Sequence, residues 1–226
     1  MKIISLPDGR ELKYELTRKR VKNINMRVSS NGIVQVSANN RLTIENIEAI
    51  LAERADYFLN AVKQLQEREK RMGISDDGMR WLGKEYPIRI IRNSSERVAL
   101  EENELRVFTN HPENFKLMLE DWATDQFCEL MRELNEEVRS ALNSRGLYPP
   151  PTTITVKEMK SRWGSCSYNR ARISINVQLM SYPRETVLSV LWHEYAHYWH
   201  HDHSERFYAF LQQHFPEYRK WNDLLK

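Results

Sequence analysis

The sequence predicts an α+β protein, and two kinds of pattern carry that reading. Short apolar runs punctuated by Asp8-Gly9 and Asn31-Gly32 have the form of strands joined by tight turns. Longer stretches repeat their apolar residues every three or four positions, the period of a helix with one buried face.

Residues 3–6 and 12–16 flank Asp8-Gly9 as a first hairpin, and residues 25–28 and 33–36 flank Asn31-Gly32 as a second with alternating apolar positions. Thr43 suits the N-cap of a helix running to about residue 70, with Ile44, Ile47, Leu51, Phe58, Val62 and Leu65 at helical spacing. The mixed charges of residues 67–71 read as a solvated tip, and residues 73–78 as a polar linker. A second β segment follows at residues 80–82, 86–91, 98–100 and 105–108, with Glu102-Asn103 at a turn. From Pro112 an amphipathic helix is predicted to about residue 144, where Gly146 and Pro149-Pro150-Pro151 stop it. Residues 154–156 and 172–177 read as strands around a loop at residues 163–167. One more helix is expected over residues 183–200, with Val187, Val190 and Leu191 as its apolar stripe, and a last one from Ser204. This pattern divides into a β-rich module with one long helix at residues 1–110 and a second part at 111–226.

With 226 residues, 41% of them hydrophobic, the chain can bury a sizeable core as one elaborated domain or two small ones. A mean hydropathy of −0.68 and the lack of a long apolar run exclude a transmembrane helix. The first residues carry no apolar stretch of the signal-peptide kind. Cys128 and Cys166 are too few for a disulfide scaffold, so a cytoplasmic enzyme with reduced thiols is expected. The net charge of +3 does not by itself point to nucleic acid. It is concentrated, however, in two clusters: Arg18, Lys19, Arg20, Lys22 and Arg27, and then Lys157, Lys160, Arg162, Arg170 and Arg172.

The most informative feature is His193-Glu194-Tyr195-Ala196-His197. Residues four apart on a helix share a face about 6 Å along its axis, so two imidazoles can converge on one metal ion. Glu194 sits a quarter-turn away, where it can reach a metal-bound water without ligating the metal. Composition alone predicts about 0.03 such matches in a chain of this length. His203 is a third candidate ligand, six residues past His197. That distance equals the metzincin spacing, but His200 replaces the central Gly and no Met follows Met180 to make the Met-turn, so that class is rejected. Glu205 and Glu217 are available as a thermolysin-like third ligand, with no supporting motif.

Beyond the metal motif, Ser161-Arg162-Trp163-Gly164-Ser165-Cys166-Ser167, Ile173-x-Ile175-Asn176 and His203-Ser204-x-x-Phe207 resemble the YgjP-like metallopeptidase domain family, related to the SprT-like and WLM proteases. Trp81-Leu82-Gly83-x-x-Tyr86 and Phe215-Pro216-x-Tyr218 extend the resemblance over nearly the whole chain. It departs at Ala196, where Cys is common, and at Tyr208, where Trp is common; neither is a ligand position. The resemblance implies a zincin-like core in which a small sheet lies over the metal helix, Zn²⁺ held by His193, His197 and His203, and Glu194 as general base.

Other residues read more plainly. His200, His201, His111 and His214 are bystanders, Trp163 and Trp192 packing residues, and Cys166 a small filler rather than a nucleophile or fourth ligand. Asn176 either hydrogen-bonds a ligand histidine or holds the strand edge against the metal helix. Arg162, Tyr168 and Arg172 are candidates to stabilise an oxyanion. Zinc-dependent hydrolysis of a peptide or protein is the first expectation. The second is attack on a nucleotide phosphoanhydride, with the Lys157–Arg172 cations supplying the charge. The third is a nucleic-acid-associated protease or binding module, prompted by the Arg18–Arg27 segment and by the SprT-like kinship.

Overall fold

A computed structural model describes residues 1–29 and 31–226 and has the α+β architecture. The chain divides into two compact units and passes between them more than once. The first comprises Met1–Arg71, Ile90–Arg97 and Phe108–Met118; the second comprises Met72–Arg89, Val98–Val107 and Leu119–Lys226.

In the first unit, β1 (Lys2–Ser5), β2 (Glu11–Arg18), β3 (Asn25–Val28) and β4 (Val34–Ala38) form a sheet in the order β1-β2-β4-β3. Both predicted hairpins are present: β1 pairs antiparallel with β2, and β3 with β4. The two hairpins join through a parallel β2–β4 pairing. Alternate residues point to one face, so Leu12 and Tyr14 on β2 and Val34, Val36 and Ala38 on β4 are buried together. That face is covered by α1 (Ile44–Glu53) and α2 (Ala55–Arg71), which contribute Ile47, Leu51, Ala55 and Phe58. Ile47, Leu51 and Phe58 each add roughly 1.5–3 kcal/mol by leaving water.

Thr43 caps α1 as expected, its Oγ1 accepting from the Asn46 amide at 3.3 Å. The single helix expected here is instead two, interrupted at Arg54 (φ −105°, ψ 15°). Leu51 before the break and Phe58 after it, two turns apart, enter the same core.

The second sheet contains β5 (Gly78–Trp81), β6 (Lys84–Ile91), β7 (Arg97–Glu101) and β8 (Glu104–Phe108), in the order β5-β6-β8-β7. The turn between β5 and β6 has a structural purpose. The Leu82 amide donates to the Met180 carbonyl at 2.8 Å and the Gly83 amide to Ser181 at 3.2 Å, pinning the segment that leads into the metal-motif helix. Gly83 has φ +81°, and a Cβ there would lie 2.8 Å from the Pro183 ring, so only glycine fits.

A 3-10 turn at Pro112–Asn114 precedes the long α3 (Phe115–Asn143). Leu119, Ala123, Phe127, Met131, Leu134, Val138 and Leu142 form its buried stripe. A third sheet follows: β9 (Thr153–Lys157), β10 (Gly164–Ser167) and β11 (Arg172–Asn176), in the order β10-β11-β9. Residues 164–167 were expected as a loop, yet they pair antiparallel with β11 along their full length. Pairing overrides the weak strand preference of glycine and serine there. Helices α4 (Arg184–Ala196), α5 (Glu205–His214) and α6 (Tyr218–Asn222) complete the unit, with α4 packed against β10, β11, α5 and α6. No helix among the described residues is long and apolar enough to cross a membrane.

Candidate metal centre

Helix α4 is buried almost all round, not along one stripe. Val187, Val190 and Leu191 are covered, and so are Leu188, Trp192, Tyr195 and Ala196. It also ends earlier than the pattern predicts: His197 is its C-cap, and the amides of Tyr198 and Trp199 turn to carbonyls three residues back. This tightening turns the chain out of the helix and returns His203 over the end of α4.

The rings of His193 and His197 lie 5.1 Å apart, and the His203 ring is 4.9 Å from the first and 5.0 Å from the second. One ring nitrogen from each falls within 4.8 Å of the others. The Nε2 atoms of His193 and His203 approach to 2.9 Å. The fully buried Phe207 lies 4.8–4.9 Å from all three rings and forms the floor on which they rest.

The outer nitrogens are also engaged. His197 Nδ1 lies 3.1 Å from the His200 carbonyl, which can only accept; Nδ1 therefore carries the proton and Nε2 keeps a lone pair. His193 Nδ1 lies 2.9 Å from the hydroxyl of Tyr218, a buried residue of α6. Burial, reinforced by repulsion from His197 and His203, lowers the His193 imidazole to about 3. Burial also lowers His197, against the His200 carbonyl, which favours the protonated ring. Three convergent imidazole nitrogens, with the outer nitrogens of His193 and His197 engaged, form a donor set of the kind that suits zinc.

Glu194 is 4% exposed, and its Oε2 has no hydrogen-bond partner among the described residues. Burial pushes its carboxyl up to about 8, with the nearby Arg162 charge acting in the opposite sense. A Cβ on Gly164 would stand 2.5 Å from Glu194 Oε1, so β10 passes directly over this carboxyl and requires glycine there. An orphaned buried acceptor beside three imidazoles leaves polar capacity that a cation and its water could satisfy, and the donor set fits the metal that the sequence implies.

A cavity of about 590 Å³ opens over these groups. Arg162, Trp163, Cys166, Tyr168, Val190 and His201 are among the residues that line it. Of the oxyanion candidates, Arg162 and Tyr168 border the cavity and Arg172 does not. Of the five cations near this segment, Arg162 alone lines it.

Asn176 plays neither expected part. Its amide donates to the carbonyls of Met159 (2.9 Å) and Arg162 (3.0 Å), holding the loop before β10. Trp163 packs edge-on against Tyr182 and its indole N–H reaches the Leu225 carbonyl at 3.3 Å. Trp192 stacks on His214 and Phe215. Burial, then the Glu194 charge, raises the Cys166 thiol to about 12, which keeps it protonated. The ring of His201 stacks on Tyr168 at 4.1 Å and its Nδ1 donates to the His197 carbonyl, while His200 packs on Phe210. Neither belongs to the three-nitrogen cluster. Tyr218 and the His200 carbonyl escaped sequence reasoning, for neither stands at a spacing that marks it as a partner of a ligand.

Three imidazoles that could hold a metal ion and a buried glutamate share one cleft, the set of groups that metal-dependent hydrolases use. The chain belongs to the YgjP-like metallopeptidase domain family, whose model matches residues 22–226. No curated protein and no solved structure matches the chain.

Proposed function

We propose that this protein is a zinc-dependent peptidase in which His193, His197 and His203 hold the metal and Glu194 is the general base. The observation that favours a peptide over other substrates is the edge of the third sheet. Strand β10 pairs only with β11 in that sheet, and it lines the cleft beside Glu194. Its outer edge offers backbone N–H and C=O groups to an extended peptide, which can add as a further strand. A phosphoanhydride calls for several convergent cations, and only Arg162 of the nearby five borders the cleft.

When bound, zinc supplies the positive charge that acidifies a water molecule and polarises a carbonyl. Glu194 takes the proton of the attacking water and passes it to the leaving amine. Tyr218 and the His200 carbonyl hold the outer nitrogens of His193 and His197, and the carbonyl leaves the Nε2 lone pair of His197 facing inward. Arg162 and Tyr168, which border the cleft, are the candidate donors to the oxyanion.

The test sets two substrates side by side. Zinc-loaded protein and its Glu194→Gln variant are incubated with an unfolded protein and with nucleoside triphosphates. Peptide cleavage that disappears in the variant supports the reading. Pyrophosphate release that disappears in the variant, without peptide cleavage, replaces it with the phosphohydrolase reading.

A further inference from the structure

The first unit holds a second concavity, of about 600 Å³, that the proposed peptidase does not use. It lies where β2 leaves the sheet and meets the turn between β4 and α1. Arg18, Lys19, Arg20, Lys22 and Arg41 line it, and no carboxylate does among the described residues. The contrast with other cations is plain. Arg10, Arg80, Arg106 and Arg184 each sit against an acidic side chain, whereas none of these five has an acidic ion-pair partner among the described residues. Five like charges around one hollow repel one another, which costs the folded state.

The scaffold beneath them is nevertheless firmly built. Arg18 Nη1 donates to the carbonyls of Asn39 (2.6 Å) and Leu42 (2.7 Å), bridging the end of β2 to the turn. Asn39 Oδ1 accepts from the amides of Arg41 and Leu42, and the Lys19 amide donates to the Ala38 carbonyl. Arg18 is thereby committed to the loop, while Lys19, Arg20, Lys22 and Arg41 keep their charged ends exposed on a fixed frame.

From this arrangement we infer that the hollow binds the phosphate backbone of double-stranded nucleic acid without sequence preference. The absence of acidic lining excludes cations and basic peptides. A volume many times that of one phosphate, ringed by charges, suits a run of phosphates more than a single ion. Single strands are held chiefly by aromatic platforms under their bases, and no aromatic residue lines this hollow. A flat bilayer surface cannot follow a concave wall, and Val21 is the one apolar lining residue. Lysine and arginine ends with no planar partner read charge, which positions a duplex but does not specify its sequence. The inference does not rest on the peptidase reading.

The test is fluorescence anisotropy of a labelled mixed-sequence DNA duplex titrated with the full chain. Four free cations meeting four phosphates give a log–log salt slope of about −3.6, so affinity falls ~100-fold between 50 and 200 mM salt. The double substitution Lys19→Gln with Arg20→Gln flattens that slope by about two. Lys63→Gln, an exposed lysine of α2, leaves it unchanged. Unaltered circular dichroism verifies folding; both substituted side chains are exposed. Duplex binding that survives the double substitution overturns the inference, as does no binding at low salt. Equal binding to vesicles of phosphatidylserine and phosphatidylcholine, or full competition by millimolar inorganic phosphate, also overturns it and makes the hollow a lipid-headgroup or free-phosphate site.

Discussion

His193 Nδ1 and the hydroxyl of Tyr218 lie 2.9 Å apart, although the two residues belong to different helices and are 25 positions apart in sequence. When Nδ1 donates to the phenol oxygen, Nε2 is left bare toward His203. Tyr218 also stacks on the imidazole at 6.2 Å, so a phenylalanine in its place keeps the packing and removes only the oxygen. Tyr218→Phe is therefore expected to weaken zinc affinity by about 10–100-fold while the circular dichroism spectrum is unchanged. Competition with a chromophoric chelator measures it, and an unaltered affinity would reduce Tyr218 to a packing residue.

The roles assigned to His193 and Glu194 separate in the same assay. His193→Ala removes a ligand and is expected to lose both metal and activity. Glu194→Gln keeps its volume and leaves the three imidazoles in place. It should bind zinc with one-to-one stoichiometry and lose activity by at least about 100-fold, the usual contribution of a positioned base. A fully active Glu194→Gln protein would refute the general-base assignment.

Gly164 tests the same carboxylate from the opposite side of the cleft. A methyl group there needs space that Glu194 Oε1 occupies at 2.5 Å, so the carboxyl must shift from its place in the cleft. Gly164→Ala should retain zinc and lose about 100-fold in kcat, the scale expected when a reacting group moves by an ångström. Retained kcat would show that β10 does not position Glu194.

These relationships differ in how far the sequence displays them. Asp8-Gly9 and Asn31-Gly32 mark hairpins because the turn itself selects those residues, and the α3 stripe follows from a period repeated over eight turns. The one-turn spacing of His193 and His197 brings their rings together by helix geometry alone. What escapes the pattern is what tertiary contact decides. Residues 164–167 have little strand preference and become β10 through pairing with Ile173 and Ile175. Arg54 shows no helix-breaking chemistry, so nothing local announces the interruption there. Asn176 reaches back 14 and 17 residues to loop carbonyls, and no local spacing announces such a bond.

Cys166 lines the same cleft, and its chemistry is decided by its surroundings. Burial first, and then the Glu194 carboxylate, raise its thiol to about 12. The thiolate is the reactive form, so alkylation by iodoacetamide at pH 8 should be much slower than for a free thiol, with a rate that climbs as pH rises toward 12. Cys166→Ser should leave zinc stoichiometry and affinity as they were. A loss of zinc in that variant would make the thiol a fourth ligand.

Tyr14 carries the corresponding prediction for the first unit. Its ring is fully buried among β2, β4, α1 and α2, and its hydroxyl donates to Glu48 Oε1 at 2.6 Å. Burial, then the Glu48 hydrogen bond and charge, raise the phenol to about 12. In the unfolded chain it ionises near 10. The folded form therefore holds a proton that the unfolded form gives up between those values. The stabilisation from this group is complete below pH 10 and is lost as pH rises through about 12. Tyr14→Phe should lower stability at neutral pH, since Glu48 loses its donor, and should flatten the alkaline decline of the denaturation midpoint. The wild-type-minus-variant phenolate absorbance should rise near pH 12; a rise near pH 10 would mean that the phenol is in contact with water.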